Sequence, residues 1–209
     1  MKKFILSALA AMMVMGAQAQ DIKLPAVNMK QKSANMMQTL AKRHSVREYS
    51  SQKLTNQELS NLCWAACGVS RDAQHRTAPT AMNKKEIRLF VMTEKATYEY
   101  LANDNMLKEV VKGDNRKLLA AGQEFAATAP VSLIMVIDYN LFGSNSERSV
   151  QMCCVDAGIV SENINLYCQS VGLCTVPRGT MDIDGIKKLL NLNDKQQPIL
   201  NNPVGYPKK

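Results

Sequence analysis

The stretch Ser146–Val171 constrains this chain more than any other segment. Its periodicity predicts one helix of about seven turns, closed by Gly172. The apolar set Val150, Cys154, Ala157, Gly158, Val160, Ile164, Tyr167 and Val171 covers more than one face of that helix. A helix that is apolar on several sides has to be buried on several sides. A single domain of this size has little else to wrap around it, so a second copy of the chain is the natural source of the missing surface.

The other elements fall around this helix. Met29–Lys42 places Met36, Met37, Leu40 and Ala41 at helical spacing and delivers Arg43 at the helix end. Thr55 followed by Glu58 is a capping box ahead of Leu59, Leu62, Cys63, Ala66 and Cys67, and Gly68 stands where a helix stops. Ile87–Met92 reads as a strand with Thr97–Leu101 as its hairpin partner, while Asn115–Thr128 reads as a helix ended by Pro130. Val131–Ile137, rich in β-branched residues and interrupted only by Ser132, is the central-strand candidate. A short strand over 173–176, a helix capped by Asp182 or Asp184, and an extended segment over 198–206 complete the chain. With no internal repeat and no linker, residues 20–209 form one α+β domain.

Residues 1–19 are read as a leader. Met1-Lys2-Lys3 is a positive start, Phe4–Gly16 is mostly apolar, and Ala17-Gln18-Ala19 is a small-residue cleavage site. The expectation is cleavage after Ala19 and export, to the periplasm in a bacterial envelope, with no stable membrane insertion. The net charge of +8 includes Lys2 and Lys3, and the remaining cations are scattered. Aromatics make up 5% and do not alternate with basic residues, so a nucleic-acid partner is not expected. An anionic cofactor explains the basic balance more simply.

The six cysteines raise the question of disulfides in an exported chain. Cys63 and Cys67 lie one turn apart, Cys153 and Cys154 are adjacent, and Cys168 and Cys174 flank a helix end. None makes a CxxC pair, and with only two histidines, His44 and His75, no zinc array or other metal site forms. Buried, inert thiols are the leading reading, and a thiol-based redox protein is a rival.

Chemistry concentrates in Arg43-His44-Ser45-Val46-Arg47-Glu48-Tyr49. Two guanidiniums, an imidazole and a hydroxyl within five residues can all donate to one phosphate, and the arginine fork meets phosphate oxygens bidentately. Composition alone reads equally well as a solvated helix end.

Three separated pieces carry a resemblance. RHSVREY at 43–49 is similar to the phosphate-binding opening of the FMN-dependent nitroreductase superfamily. APTAMNKKE at 78–86 is similar to that family's Pro-Ser-x-x-Asn loop, and GLCTVPRG at 172–179 to its turn over the flavin ring. LSNLCWAACGV (59–69) and DAGIVSENINLYCQSVGL (156–173) look like the azoline-oxidising peptide dehydrogenase branch.

The resemblance implies an α+β fold with a central, mostly antiparallel sheet flanked by helices, a long dimer-interface helix, and a homodimer. It implies FMN as cofactor, NAD(P)H as a donor, and a small-molecule acceptor such as a nitroaromatic or quinone. Arg43 and Arg47 would neutralise the phosphate. His44 and Ser45 would bond the phosphate and ribityl chain, or the ring's carbonyl edge. Thr80 stands for the family serine. Asn83 would bond a flavin heteroatom, or serve only as a turn residue. Pro177, Arg178 and Gly179 would line the ring through backbone groups. No catalytic side chain is nominated, because flavin chemistry asks the protein mainly for orientation and charge. Three departures stand out: Arg178 where many members carry glutamate, expected to favour the anionic reduced ring; Lys85 for a glutamine; and an end with only Lys208 and Lys209. The altered turn and short end also admit a flavin-binding or cofactor-free protein without catalytic activity.

Overall fold

A computed structural model describes residues 20–208, so the leader read over 1–19 lies outside the described residues. The strands are Ile22–Lys23 (β1), Ile87–Thr93 (β2), Ala96–Leu101 (β3), Met106–Lys112 (β4), Val131–Asp138 (β5), Cys174–Thr175 (β6) and Gln196–Gly205 (β7). They form one sheet in the order β1-β4-β3-β2-β5-β7-β6, and each neighbouring pair is antiparallel. The helices are Met36–Lys42 (α1), Asn56–Cys67 (α2), Phe125–Thr128 (α3), Tyr139–Phe142 (α4), Glu147–Val171 (α5) and Ile183–Leu189 (α6).

Every residue of β5 is buried, which explains its unbroken apolar run. Leu133, Met135 and Ile137 join Leu89 and Val91 of β2 against Leu62, Cys63, Cys153, Ala157, Val160 and Ile164 of α2 and α5. Ile134 and Val136 join Phe90 and Met92 on the opposite face, covered by Leu119, Ala126, Ile186 and Leu190. The sheet is therefore sandwiched, and the side-chain alternation of each strand supplies both cores.

The predicted helix ends hold. Thr55 and Glu58 make the reciprocal capping box of α2. Ser146 caps α5, and Gly172 ends it in the left-handed conformation at φ 82°. Gly68 follows α2 for a different reason. Its φ of −70° is ordinary, but a Cβ there would lie 2.4 Å from Cδ1 and 2.6 Å from Cα of Trp64.

Four expectations change. The helix expected over 29–42 forms only as α1, because Asn35 caps it and Ala34 N–H is tied to Ser170 O at 2.8 Å. Its Met36, Met37 and Leu40 face outward, and Thr39 is the buried residue. The helix expected over 115–128 breaks into a 3-10 turn at Arg116–Leu119 and the short α3, with Ala121 and Gly122 at positive φ between them. The Leu119 carbonyl, which a continuing helix would use, accepts from the Arg178 guanidinium instead, and the Ala120 carbonyl is shared between that guanidinium and the Gln123 N–H. β4 forms between the elements read at 97–101 and 115–128, where no element was expected, since its Lys108, Glu109 and Lys112 mask the strand pattern. Finally, α5 buries one broad face (Ser149, Cys153, Asp156, Ala157, Val160, Ile164, Cys168), while Val155 is 55% exposed and Gly158 has open space beside it.

Gly68→Ala should destabilise the protein by about 1–3 kcal/mol, the scale of an overpacked site. Urea unfolding followed through the single tryptophan, Trp64, reads this directly.

Candidate functional site

The RHSVREY segment leaves α1 at Arg43, whose N–H still bonds Thr39 O, and then runs extended. It lies along β6 and the end of β7: Val46 N–H donates to Thr175 O at 3.1 Å, Ser50 N–H to Tyr206 O at 2.9 Å, and Lys208 N–H to Glu48 O at 3.4 Å. Tyr49 is the inward anchor, its hydroxyl donating to Val46 O at 2.9 Å. Burial, with the Cys174 and Cys168 thiols beside it, pushes that phenol well above its ordinary value. With Tyr49 buried and Val46 half-buried, Arg43, His44, Ser45 and Arg47 are left exposed. Arg43 has one loose ion pair, to Glu162 at 3.6 Å, and Arg47 has none among the described residues. Both guanidiniums keep donors free for an anion.

The turn after β6 meets this segment through Thr175. Arg178 N–H donates to Asn201 O at 2.9 Å and Asn201 N–H to Arg178 O at 2.7 Å, so Pro177 and Gly179 stand exposed on either side of a pinned residue. The Arg178 side chain turns inward. It donates to Leu119 O, Ala120 O, Asn201 Oδ1 and Gln123 Oε1, and it lies over the Phe125 ring. Its donors are therefore consumed in the fold, which leaves its backbone and its charge, not its side-chain hydrogen bonds, for the expected role beside a flavin ring. Sequence reading missed its partner Asn201 and the neighbouring Asn202, both fully buried within β7. Asn202 bonds Ser161, Asn165 and Thr175 at 2.7, 3.2 and 3.3 Å and so ties α5 to β6.

The third piece lies elsewhere. Ala81 N–H donates to Asp156 Oδ2 at 2.7 Å, and Lys85 N–H to Thr80 Oγ1 at 2.8 Å. Met82, Asn83 and Lys85 all adopt positive φ, a costly conformation for residues other than glycine that often marks functional loops. Asn83 is exposed and donates once, to Gln74 O at 3.1 Å. This loop is anchored on α5 at Asp156, and Arg43 reaches α5 at Glu162, about 9 Å further along the axis. One chain thus unites 43–49 with 174–179, and no hydrogen bond among the described residues links either to 80–85. A cleft of about 250 Å³ beside that loop is lined by Arg76, Thr80, Lys85, Arg88 and Tyr100, not by the arginine corner.

The cysteines are free thiols, with Cys63, Cys153 and Cys168 fully buried. Burial pushes Cys153 up to about 12 and Cys174 to about 11, so neither offers thiolate near neutral pH. This weakens the thiol-redox alternative.

Arg178→Ala should cost about 3 kcal/mol, because it orphans the Leu119 carbonyl and the Asn201 amide oxygen, while Ala120 O keeps the Gln123 N–H. Arg178→Lys should recover only part of that loss, since an ammonium cannot reproduce the fork. Chemical denaturation of the two variants checks both expectations.

A model of the nitroreductase family matches residues 40–206. A provisionally assigned nitroreductase of Methanocaldococcus jannaschii is 31% identical over 198 residues, covering 88% of this chain and 96% of the relative. The crystal structure of a provisionally assigned nitroreductase from Ralstonia eutropha superposes with a TM-score of 0.85 at 30% identity, over 93% of this chain and 92% of that one. A Parabacteroides distasonis protein described as an NADH dehydrogenase/NAD(P)H nitroreductase shares the fold at 20% identity and a TM-score of 0.59, over 83% of this chain and 88% of that one. The chain belongs to the nitroreductase family of oxidoreductases.

Proposed function

We propose that this protein is an FMN-dependent oxidoreductase that works as a homodimer and passes electrons to a small organic acceptor. One observation carries the reading: Arg43, His44, Ser45 and Arg47 are exposed together beside the Pro177–Gly179 turn, and the two arginines still have donors to give. These groups suit a phosphate monoester, and the pinned turn offers a fixed backbone surface to a planar ring. When bound, the flavin would accept a hydride, from NAD(P)H or another reduced carrier, and return electrons to a nitroaromatic, quinone or similar acceptor. The chain's own task is to fix the phosphate, orient the ring and leave one face open. Because Arg178 is explained by its inward bonds, the altered turn does not argue for a degenerate site.

The homodimer is supported by what one chain leaves uncovered. Val155 and the open side of Gly158 on α5, with Met36, Met37 and Leu40 on α1, form outward surface that the expected partner would bury. The same partner would bring its Asn83 loop to the arginine corner. The finer placement in the azoline-oxidising branch rests on 59–69 and 156–173. Those segments largely build α2 and α5, so their likeness reflects core packing more than chemistry.

Export is proposed from the leader alone. The mature protein should begin at Gln20 by mass.

Residues 20–209 reconstituted with FMN should show a flavin absorbance spectrum. Arg43→Ala should weaken FMN binding by about 1.5–3 kcal/mol in a fluorescence titration, the scale of a charge-assisted hydrogen bond. Gly158→Leu should leave the isolated fold intact, since a Cβ there meets no atom within 4 Å, yet shift sedimentation from dimer to monomer. A colourless wild-type monomer in excess FMN would remove the proposal.

A further inference from the structure

Beneath the 80–85 loop sits a buried pair of acids that the flavin chemistry does not use. Glu86 opens toward β2 with 0% exposure, and neither of its carboxyl oxygens meets a donor. Its neighbour across the gap is Asp156 of α5, itself buried, whose Oδ2 accepts the Ala81 N–H at 2.7 Å. The other polar groups facing Glu86 are the Thr80 hydroxyl and the Cys153 thiol.

No cation among the described residues pairs with it. Lys85 points away to Gln74 Oε1 at 3.0 Å, and Lys84 reaches toward Gly143. From β5, Asp138 gives only its N–H, to the Glu86 carbonyl at 2.9 Å. Its carboxylate is taken up by Asn140, Gln196 and the more distant Arg88. Two ionised carboxylates are acceptors only, so this contact becomes a hydrogen bond only when one of them holds a proton.

We propose that Glu86 and Asp156 share a single proton, and that this proton locks the 80–85 loop in the strained conformation that presents Asn83. The claim rests on the reading of Asn83 as a flavin contact, and it makes Glu86 and Asp156 positioning residues. The loop needs a lock because three of its residues hold positive φ, and Asp156 reaches its backbone directly at Ala81. Losing the proton would place two negative charges together in a dry site, and the loop would open to hydrate them.

Burial, with Asp156 opposite, raises Glu86 from 4.5 to about 7 in the closed loop. An opened loop returns the carboxyl to its ordinary value. The closed state therefore binds the proton more tightly, so closure is favoured at low pH and is lost as pH rises between those two values.

The test is amide hydrogen exchange at Ala81 and Lys85 in the apoprotein, corrected for the intrinsic pH dependence of exchange. Protection should fall by about tenfold or more between pH 5 and pH 7.5 in the wild type. Glu86→Gln, which cannot ionise and can donate to Asp156, should stay protected across the range. Should that variant fail to fold, Asp156→Asn serves: it removes the facing charge but leaves Glu86 ionisable in its buried site, so the loss of protection should move to higher or lower pH relative to the wild type, and an unmoved profile overturns the role of Asp156. FMN affinity should weaken in the same window in the wild type and stay level in Glu86→Gln. Flat wild-type protection, or parallel titration of wild type and variant, overturns the lock. Protection that titrates as expected in a protein that never binds FMN keeps the lock and overturns only the flavin reading.

Discussion

Burial of β5 on both faces is the constraint from which the rest of the molecule follows. A strand with Leu133, Met135 and Ile137 on one side and Ile134 and Val136 on the other cannot face water, so the sheet must carry a layer on each face. The long α5 and the shorter α2 cover one face. The other is closed by α6 and the broken 116–128 segment. Strand order then carries β6 to the sheet edge beyond β7, where the Arg43–Tyr49 segment can lie against it.

At that edge, one row of residues serves two purposes. Tyr49 and Arg178 point inward and hold the corner by bonds to backbone carbonyls, while Arg43, His44, Ser45 and Arg47 point to solvent and keep capacity for an anion. The buried asparagines of β7 connect the two halves, because Asn201 grips the Pro177–Gly179 turn and Asn202 grips α5 and β6. A polar network so fully satisfied fixes one geometry, and a site that works by orientation depends on such fixation.

The anionic side of the structure is arranged differently. Asp156 lies within the helix that builds the core, yet it anchors the loop carrying Asn83, and Glu86 sits unpaired beside it. Cationic corner and acid-anchored loop meet α5 at different heights, so under the proposed function one chain presents two half-sites on one helix. A partner copy is the physical way to bring such halves together.

Helix caps, the capping box of Thr55 and Glu58, the end of α5 at Gly172 and the double-sided β5 could all be read from the chain, because each depends on neighbours within a few residues. The arginine segment could be read as candidate anion chemistry for the same local reason, whereas the Pro177–Gly179 turn was nominated only by its resemblance. Hidden from such reading were the break at 120–122, the inward course of Arg178, the strand β4 and the burial of Glu86 beside Asp156. All but β4 are decided by a partner tens of residues away; β4 pairs with the neighbouring β3, and its charged residues hide the alternation. A carbonyl claimed by a distant guanidinium, or a carboxyl buried beside another, has no local pattern. The sequence by itself determined most of the helices and strands and singled out the proposed anion-binding corner. Only the tertiary structure decided which polar groups are spent inside the fold and which remain for a ligand, because that depends on donors and acceptors meeting across the sheet.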